Sequence, residues 1–362
     1  MNILYDNIIY SLQKSGGISV YWTQLIKRML ETGDRVVFLE YPDAKNNFLR
    51  NDVNIPAGHI YQRNTILLRF KRYLSPRLKI TNNTIFHSSY YRFLKHPKVA
   101  NVTSVHDFVY EHHRGGLVKY VHLLQKKYAI KNSSLIICIS ENTKKDLKYF
   151  FPDFPDDKIR VVYNGVSEDF FQIPALDSHP HLPFLPHSYL IYVGDRRAKY
   201  KNFETLIKCY PNNLSLLIAG GGAPTKGELR LLSKYLKPGQ FKFTGHVSNT
   251  DLNIFYNHAK ALVYPSCYEG FGIPIAEAQK AGCPVIALNT SSIPEVAGHN
   301  ALLVASLTHE TLLNAIQQLD KKTVREKIIS AGLKNAERFS WDIAFAKIYD
   351  AYKEVWDKKN SL

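Results

Sequence analysis

The sequence predicts an α/β protein built as two Rossmann-like, doubly wound domains. Short runs of β-branched and aromatic residues alternate with helical patterns along the whole chain, the mark of parallel sheets covered on both faces. The alternation stops once, between Ile173 and Pro186, where Pro174, Pro180, Pro183 and Pro186 read as an extended linker, and then restarts. At 362 residues and 45% hydrophobic, the chain is long enough to bury two cores.

In the first half, strands are expected at 2–5, 35–41, 84–88, 103–106, 135–139 and 160–163, with a helix over 20–30. After the break they are expected at 190–193, 215–219, 242–244, 262–264, 285–288 and 302–304. The resulting boundaries are 1–173 for the first domain, 174–186 for the linker, 187–340 for the second domain and 341–362 for a terminal helix. That helix spaces Ile343, Ala344, Phe345, Ile348, Ala351, Tyr352 and Val355 along one broad stripe, which needs a partner surface.

Four cysteines, Cys138, Cys209, Cys267 and Cys283, lie scattered without C-x-x-C spacing, so neither a zinc site nor a disulfide framework is indicated, and a reducing compartment fits. The chain opens on strand-like Ile3-Leu4-Tyr5 without a basic and apolar leader pattern, and no apolar run approaches the ~18 residues of a membrane span. The expectation is a cytoplasmic chain, neither secreted nor membrane-spanning.

The densest chemistry lies in Glu269-Gly270-Phe271-Gly272-Ile273-Pro274-Ile275-Ala276-Glu277. A strand ends at Tyr264, Pro265 stops it, Gly270 and Gly272 permit unusual backbone angles, and a helix begins at Ile273. A strand, a glycine loop and a helix N-terminus make an anion site, in which the N–H groups of Phe271, Gly272 and Ile273 favour a diphosphate. Glu269 and Glu277 flank it. A diphosphate repels carboxylates, so each is expected to hold something neutral and hydroxylated, a ribose or a hexose. The bland alternative makes Glu269 a solvated loop residue and Glu277 a favourable first-turn acid.

Other motifs favour the first alternative. The glutamate segment, followed by Ala281-Gly282-Cys283-Pro284-Val285-Ile286-Ala287, resembles the E-x7-E signature of family-4 retaining glycosyltransferases with the GT-B fold. Ser15-Gly16-Gly17-Ile18-Ser19-Val20-Tyr21 is similar to that family's glycine loop after the first strand, and Tyr163-Asn164-Gly165-Val166 to the last turn of its first domain. Tyr192-Val193-Gly194-Asp195-Arg196-Arg197-Ala198-Lys199-Tyr200-Lys201-Asn202 is similar to its basic diphosphate loop. The resemblance covers nearly the whole length.

It implies two Rossmann-like domains facing across a cleft, with the terminal helix crossing back to the first. It also implies a retaining, front-face hexosyl transfer from a nucleoside-diphosphate-sugar to a lipid-linked glycan acceptor of envelope polysaccharide, lipopolysaccharide or O-antigen type. No cofactor and no metal are expected. The absence of an Asp-x-Asp triplet agrees with metal independence.

Ligands of doubly wound sheets sit at the carboxyl ends of strands, which is where the remaining candidates fall. Lys201 matches the family's diphosphate-loop lysine. Arg196 is the favoured clamp beside it; Arg197 is the alternative, because Asp195 stands where many relatives carry the arginine. Gly16 and Gly17 are placed to approach the donor phosphate or the acceptor, or else make a tight turn. His106 ends the strand 103–106 and resembles the histidine that relatives point at the transferred sugar, although a lone histidine among fourteen also has a structural explanation. The implied roles are Arg196 and Lys201 on the diphosphate, Glu269 and His106 on the sugar, and Glu277 on the ribose. Ser140 reads as a helix cap. Gly220-Gly221-Gly222 is no P-loop, since no Gly-Lys-Ser/Thr follows at the required spacing.

The formal net charge is +16, and residues 53–106 carry nine Lys/Arg (Arg63, Arg69, Lys71, Arg72, Arg77, Lys79, Arg92, Lys95 and Lys98) with no Asp or Glu. Apolar residues interleave them, as in Ile66-Leu67-Leu68-Arg69-Phe70-Lys71-Arg72-Tyr73-Leu74, the pattern of a segment lying on an anionic membrane at the inner face of the cytoplasmic membrane. Each such cation contributes on the order of 1 kcal/mol near that surface. Nucleic acid is the competing polyanion, but no recognition module is visible and the glutamate loop would go unexplained. A solvated basic face is the bland alternative. The rival functional classes are a nucleotide-sugar epimerase of the same architecture, a phosphorylase, for which no pyridoxal-phosphate lysine can be located, and a non-enzymatic basic lipid- or nucleic-acid-binding protein.

Overall fold

The computed structural model describes residues 1–64, 68–113, 115–174 and 182–361. The chain forms two compact units, Met1–Asn164 with Trp341–Leu362, and Gly165–Ser340. Among the described residues no helix is long and apolar enough to cross a membrane.

The first unit carries β1 (Asn2–Asp6), β2 (Arg35–Glu40), β3 (Ile60–Gln62), β4 (Thr84–Ser88), β5 (Val99–Val105), β6 (Ser133–Cys138) and β7 (Ile159–Val161), in the order β3-β2-β1-β4-β5-β6-β7. Every pairing is parallel, with Ile3 opposite both Val36 and Ile85. Parallel strands are buried on both faces and read as continuous apolar runs. β5 is buried at all of its positions, Asn101 included. Asn101 accepts from the Leu94 N–H at 2.8 Å and donates to the carbonyls of Leu94 (3.0 Å) and Asn132 (3.1 Å), so this polar residue lies inside the strand, which begins before the expected 103. β3 escaped prediction because it is a three-residue edge strand with two exposed positions.

The second unit carries β8 (Tyr189–Val193), β9 (Ser215–Ala219), β10 (Phe241–Gly245), β11 (Ala261–Tyr264), β12 (Val285–Leu288) and β13 (Leu302–Val304), all parallel in the order β10-β9-β8-β11-β12-β13. A core cluster packs Leu190, Tyr192, Leu216, Ile218, Val263 and Ile286 from the strands against Leu206, Leu232, Leu312 and Ile316 from the helices.

Two expectations shift. Residues 165–173, assigned to the first domain, pack with the second unit. The Val166 N–H donates to the Phe339 carbonyl (2.9 Å), Phe170 is buried with its ring 6.0 Å from that of Tyr256, and the Phe171 and Ile173 N–H groups donate to Asn253 (3.1 Å) and Asn257 (2.8 Å). Residues 175–181 of the expected linker, Pro180 among them, lie outside the described residues. The helix Trp341–Asn360 belongs to the first unit and buries Trp341, Ala344, Ile348, Ala351, Tyr352 and Val355. Ile343 is 46% exposed and leaves the expected stripe, since the buried face is centred on Ala344 and Ile348. The Tyr352 hydroxyl bonds the buried His87 ring.

Arg92 also departs from its expected place on the basic surface. Its side chain is 2% exposed; Nε donates to Asp6 Oδ2 at 2.7 Å, Nη2 to Asp6 Oδ1 at 2.5 Å and Nη1 to the Tyr41 hydroxyl at 2.9 Å. Asp6 ends β1 and Arg92 follows the adjacent β4, so the sheet order brings them together. Removing one partner of a buried pair leaves an uncompensated charge, so Arg92→Ala should lower unfolding free energy by about 3–5 kcal/mol in urea titrations. Lys95→Ala, at an exposed position, should change it by less than about 0.5 kcal/mol.

Candidate functional site

In the second unit β8 lies between β9 and β11, so the loops following these three strands are neighbours. After β8 the chain turns at Gly194, makes a short 3-10 turn Lys199–Lys201 and places Asn202, with φ 55°, as the N-cap of the helix Phe203–Lys208. Lys201 Nζ donates to Glu269 Oε1 at 2.6 Å and to the Tyr264 hydroxyl at 3.2 Å. The two charged side chains are 15% and 11% exposed. Glu269 is thus a nearly buried ion-pair partner, and the solvated-loop alternative fails. Two residues singled out separately in the sequence meet because β8 and β11 pair.

The glutamate loop is held by residues that carried no signal in the sequence. The Glu269 N–H donates to Ser291 Oγ at 2.9 Å, and the fully buried Ser292 hydroxyl lies 3.0 Å from the Glu269 carbonyl and 2.9 Å from that of Phe271. Ser291 itself has φ 49°. On the β8 side the Cys267 N–H donates to the Tyr200 carbonyl at 2.7 Å, tying the basic loop to the glutamate loop. Phe271 is buried edge-on against Phe339, 5.4 Å between centroids.

The helix Ile273–Lys280 starts on Gly272, whose φ of 101° favours glycine and which offers no side chain to the first N–H groups. Glu277 is the fifth helical residue, so it is not a first-turn acid. Tyr256 donates to its Oε2 at 3.2 Å, and burial pushes its carboxyl up to about 7.

Arg196 and Arg197 separate cleanly. Arg196 Nε donates to Glu228 Oε1 at 2.8 Å, Nη1 to the Gly220 carbonyl and Nη2 to the Gly222 carbonyl at 2.9 Å, and its guanidinium lies 4.8 Å from the centroid of the Phe243 ring. Its side chain is fully buried, whereas that of Arg197 is 62% exposed and paired with Asp195 at 2.8 Å. A surface pair of the latter kind is worth little. Gly220, Gly221 and Gly222 all have positive φ (85°, 75° and 69°), and their loop wraps the Arg196 guanidinium. Glu228 caps the helix Lys226–Tyr235 through a capping box with Thr225 and so fixes Arg196 from the other side. The Thr225-x-x-Glu228 spacing was the available signal for this residue.

In the first unit His106 directly follows β5 and is buried, edge-on to Tyr21 at 4.9 Å. Burial, reinforced by the Lys126 ammonium, lowers its ring to about 4, so it is neutral at physiological pH. Lys126 is in turn paired with Glu111 at 2.9 Å. Gly16 and Gly17 follow β1 after a helical turn, Ile9–Leu12, and open the helix Gly17–Met29 without a side-chain cap. The buried Ser19 hydroxyl behind them accepts from Gln13 Nε2 at 2.7 Å and Asn47 Nδ2 at 3.0 Å. Ser140 caps its helix by accepting from the Thr143 N–H at 2.9 Å. Among the described residues no group of three His, Cys, Asp or Glu side chains is placed to hold a metal ion.

Comparison with known proteins adds the following. Residues 15–170 match the family model described as Glycosyltransferase Family 4, and residues 179–335 the one described as Glycosyl transferases group 1. The chain is 28% identical over 314 residues to O-antigen chain mannosyltransferase B of Escherichia coli, covering 81% of each chain. It is 28% identical over 200 residues to O-antigen chain mannosyltransferase RfbU of Salmonella typhimurium, covering 54% of this chain and 53% of the relative. Among solved structures, sucrose-phosphate synthase from Thermosynechococcus elongatus aligns with a TM-score of 0.75 at 17% identity over 99% of this chain and 100% of that one. Anabaena HepE in complex with UDP aligns at 0.70 and 16%, over 98% and 100%. At such identities the structural likeness speaks for the fold alone.

The loop around Arg196 predicts an order of stabilities. A Cβ on Gly221 would lie 2.7 Å from Arg196 Nη1, whereas one on Gly222 meets nothing within 4 Å. Gly222→Ala should cost about 1–2 kcal/mol for its left-handed backbone alone, and thermal denaturation should show Gly221→Ala as the more damaging change.

Proposed function

The chain belongs to the family-4 glycosyltransferases and has the GT-B fold; from that premise we propose that it moves a hexose-type sugar from a nucleoside-diphosphate-sugar to a lipid-linked glycan acceptor in envelope polysaccharide synthesis. The observation that carries this reading is the Lys201–Glu269 pair beside the N-terminus of Ile273–Lys280. It sets a cation, a hydroxyl-accepting carboxylate and backbone N–H groups within one loop cluster. The relatives named mannosyltransferases support a hexose as the transferred group.

In this mechanism the barrier is departure of the diphosphate. Without donor, Lys201 is neutralised by Glu269; an arriving diphosphate draws the ammonium away and frees the carboxylate for the sugar hydroxyls. Lys201 and the N–H groups of Phe271, Gly272 and Ile273 take the growing phosphate charge, and Arg196, the favoured clamp in the sequence but fully buried on Glu228 and the glycine-loop carbonyls, braces the loop that carries Lys201. Because these charges are in place before reaction, little reorganisation is needed. Glu277 takes a ribose hydroxyl, and neutral His106 hydrogen-bonds the sugar. Gly16 and Gly17 present open backbone to the substrates. The resemblance to family-4 retaining enzymes supports a front-face, retaining transfer in which no side chain acts as nucleophile, independent of metal and cofactor, with the chain's own cations stabilising the leaving group. The basic residues of 53–106 other than the buried Arg92 place the enzyme on an anionic membrane surface at the cytoplasmic face. The side chain of Arg69 lies outside what is described.

Release of nucleoside diphosphate from a panel of nucleotide sugars tests the reading; silence with every donor would sink it. Lys201→Ala should lower kcat/KM about 100-fold or more, the scale of one preorganised charge stabiliser, and Glu269→Ala should act mainly on kcat, because contacts to the reacting sugar strengthen in the transition state. Wild-type rates in both variants would remove the assignment.

The raised Glu277 carboxyl supplies a pH test. Its folded value, about 7 against the usual 4.5, means that its stabilising effect is complete below pH 4.5 and is lost as pH rises through about 7. Donor binding should run the other way, since only the carboxylate accepts two ribose hydroxyls. Affinity measured by calorimetry should therefore rise through about pH 7, and Glu277→Gln should flatten both profiles. A Gln variant with an unchanged pH profile would move the ribose contact elsewhere.

A further inference from the structure

The helix Gly116–Lys131 of the first unit leaves a broad apolar stripe outside. Its buried residues include His122, Gln125 and Lys126 together with Ala129 and Ile130. His122 and Lys126 reach Glu111 at 3.0 and 2.9 Å, and Gln125 donates to the carbonyls of Arg72 (2.6 Å) and Tyr91 (3.2 Å). The outward face carries Leu117, Tyr120, Val121, Leu124 and Tyr128, exposed by 78, 63, 36, 52 and 59%. These positions follow the spacing i, i+3, i+4, i+7 and i+11 and form one stripe. A surface helix ordinarily turns that stripe inward, and a contiguous exposed apolar strip marks a surface made to be covered.

Charge identifies what covers it. The helix contains no Asp or Glu, and at helical spacing its exposed Lys127 and Lys131 lie beside the stripe. Gln125 fastens it to the acid-free segment, where Phe70 and Leu74 are 70% and 62% exposed. Leu74 lines a groove with Tyr128 and also lines a cavity of about 790 Å³ edged by Arg63, Lys71, Arg77 and Lys95. The apolar strip and the cationic cavity therefore adjoin. A second copy of this chain would set the same positive charges against one another across the strip, whereas an anionic bilayer offers acyl chains to the one and phosphates to the other.

We propose that the outward face of Gly116–Lys131 inserts into the interfacial layer of an anionic bilayer, with the cations around Leu74 on the lipid phosphates. This rests on the membrane placement proposed above and gives it an inserted element that the sequence did not reveal.

Tryptophan placed at Leu124 reports insertion directly, with Leu229→Trp, 40% exposed in the second unit, as the control. With vesicles of phosphatidylcholine and phosphatidylglycerol bearing brominated acyl chains, the added fluorescence of Leu124→Trp should be quenched and that of Leu229→Trp should not. Leu117→Ser combined with Leu124→Ser should weaken vesicle partitioning about tenfold or more while nucleoside-diphosphate release with a soluble acceptor persists. Co-sedimentation without quenching at 124 would overturn the inserted helix and leave membrane placement by another face. Failure of the wild-type chain to sediment with anionic vesicles would sink both. A dimer in lipid-free solution that the double variant dissolves would assign the strip to a second copy instead. Quenching in a chain that releases no nucleoside diphosphate would keep this inference and reject the transferase.

Discussion

Parallel pairing governs this molecule. Every strand pair in both units is parallel, so each sheet must be covered on both faces and every crossover must return over it. Side chains that must meet a ligand are thereby left to the ends of strands. The functional candidates obey this: Gly16 follows β1, His106 follows β5, Arg196 and Lys201 follow β8, and Glu269 follows β11. Which of them meet is then set by strand order alone. With β9, β8 and β11 side by side, the glycine loop, the basic loop and the glutamate loop form one surface.

Buried cations at these strand ends are all paired, but not alike. Arg92 is held by both oxygens of Asp6 and by Tyr41, and Arg196 by a carboxylate and glycine-loop carbonyls. A planar fork with several fixed acceptors is a rigid element. Lys201 is held by one carboxylate oxygen and one hydroxyl. A point charge with so few partners can change them when an anion arrives, so of these cations Lys201 is the one suited to respond to a ligand, and Arg196 to stay in place while it does. Removing one partner of a buried pair is costly, so both arrangements hold these loops in one shape.

The same burial logic accounts for the exposed strip. The polar part of the buried face of Gly116–Lys131 is held by Glu111, which pairs Lys126 and His122, while Leu117, Tyr120, Val121, Leu124 and Tyr128 face outward. That places a packing demand on the surface of the first unit, where residues 53–106 contribute cations and no acids.

By itself the sequence determined what depends on neighbours along the chain. Strands at 84–88, 215–219, 285–288 and 302–304 fell on their observed positions, because buried parallel strands are continuous apolar runs. Glu269, Gly272 and Glu277 were visible because strand, glycine loop and helix lie within a few residues of one another. Only the tertiary structure decided which residues touch. Lys201 meets Glu269 across 68 positions, Glu228 turns from a helix cap into the anchor of Arg196, Ser291 and Ser292 brace a loop more than twenty positions away, and Arg92 leaves the basic surface for the core. Each of these pairings follows from which strands lie side by side, and strand order is set by crossovers that leave no mark in the local pattern of either partner.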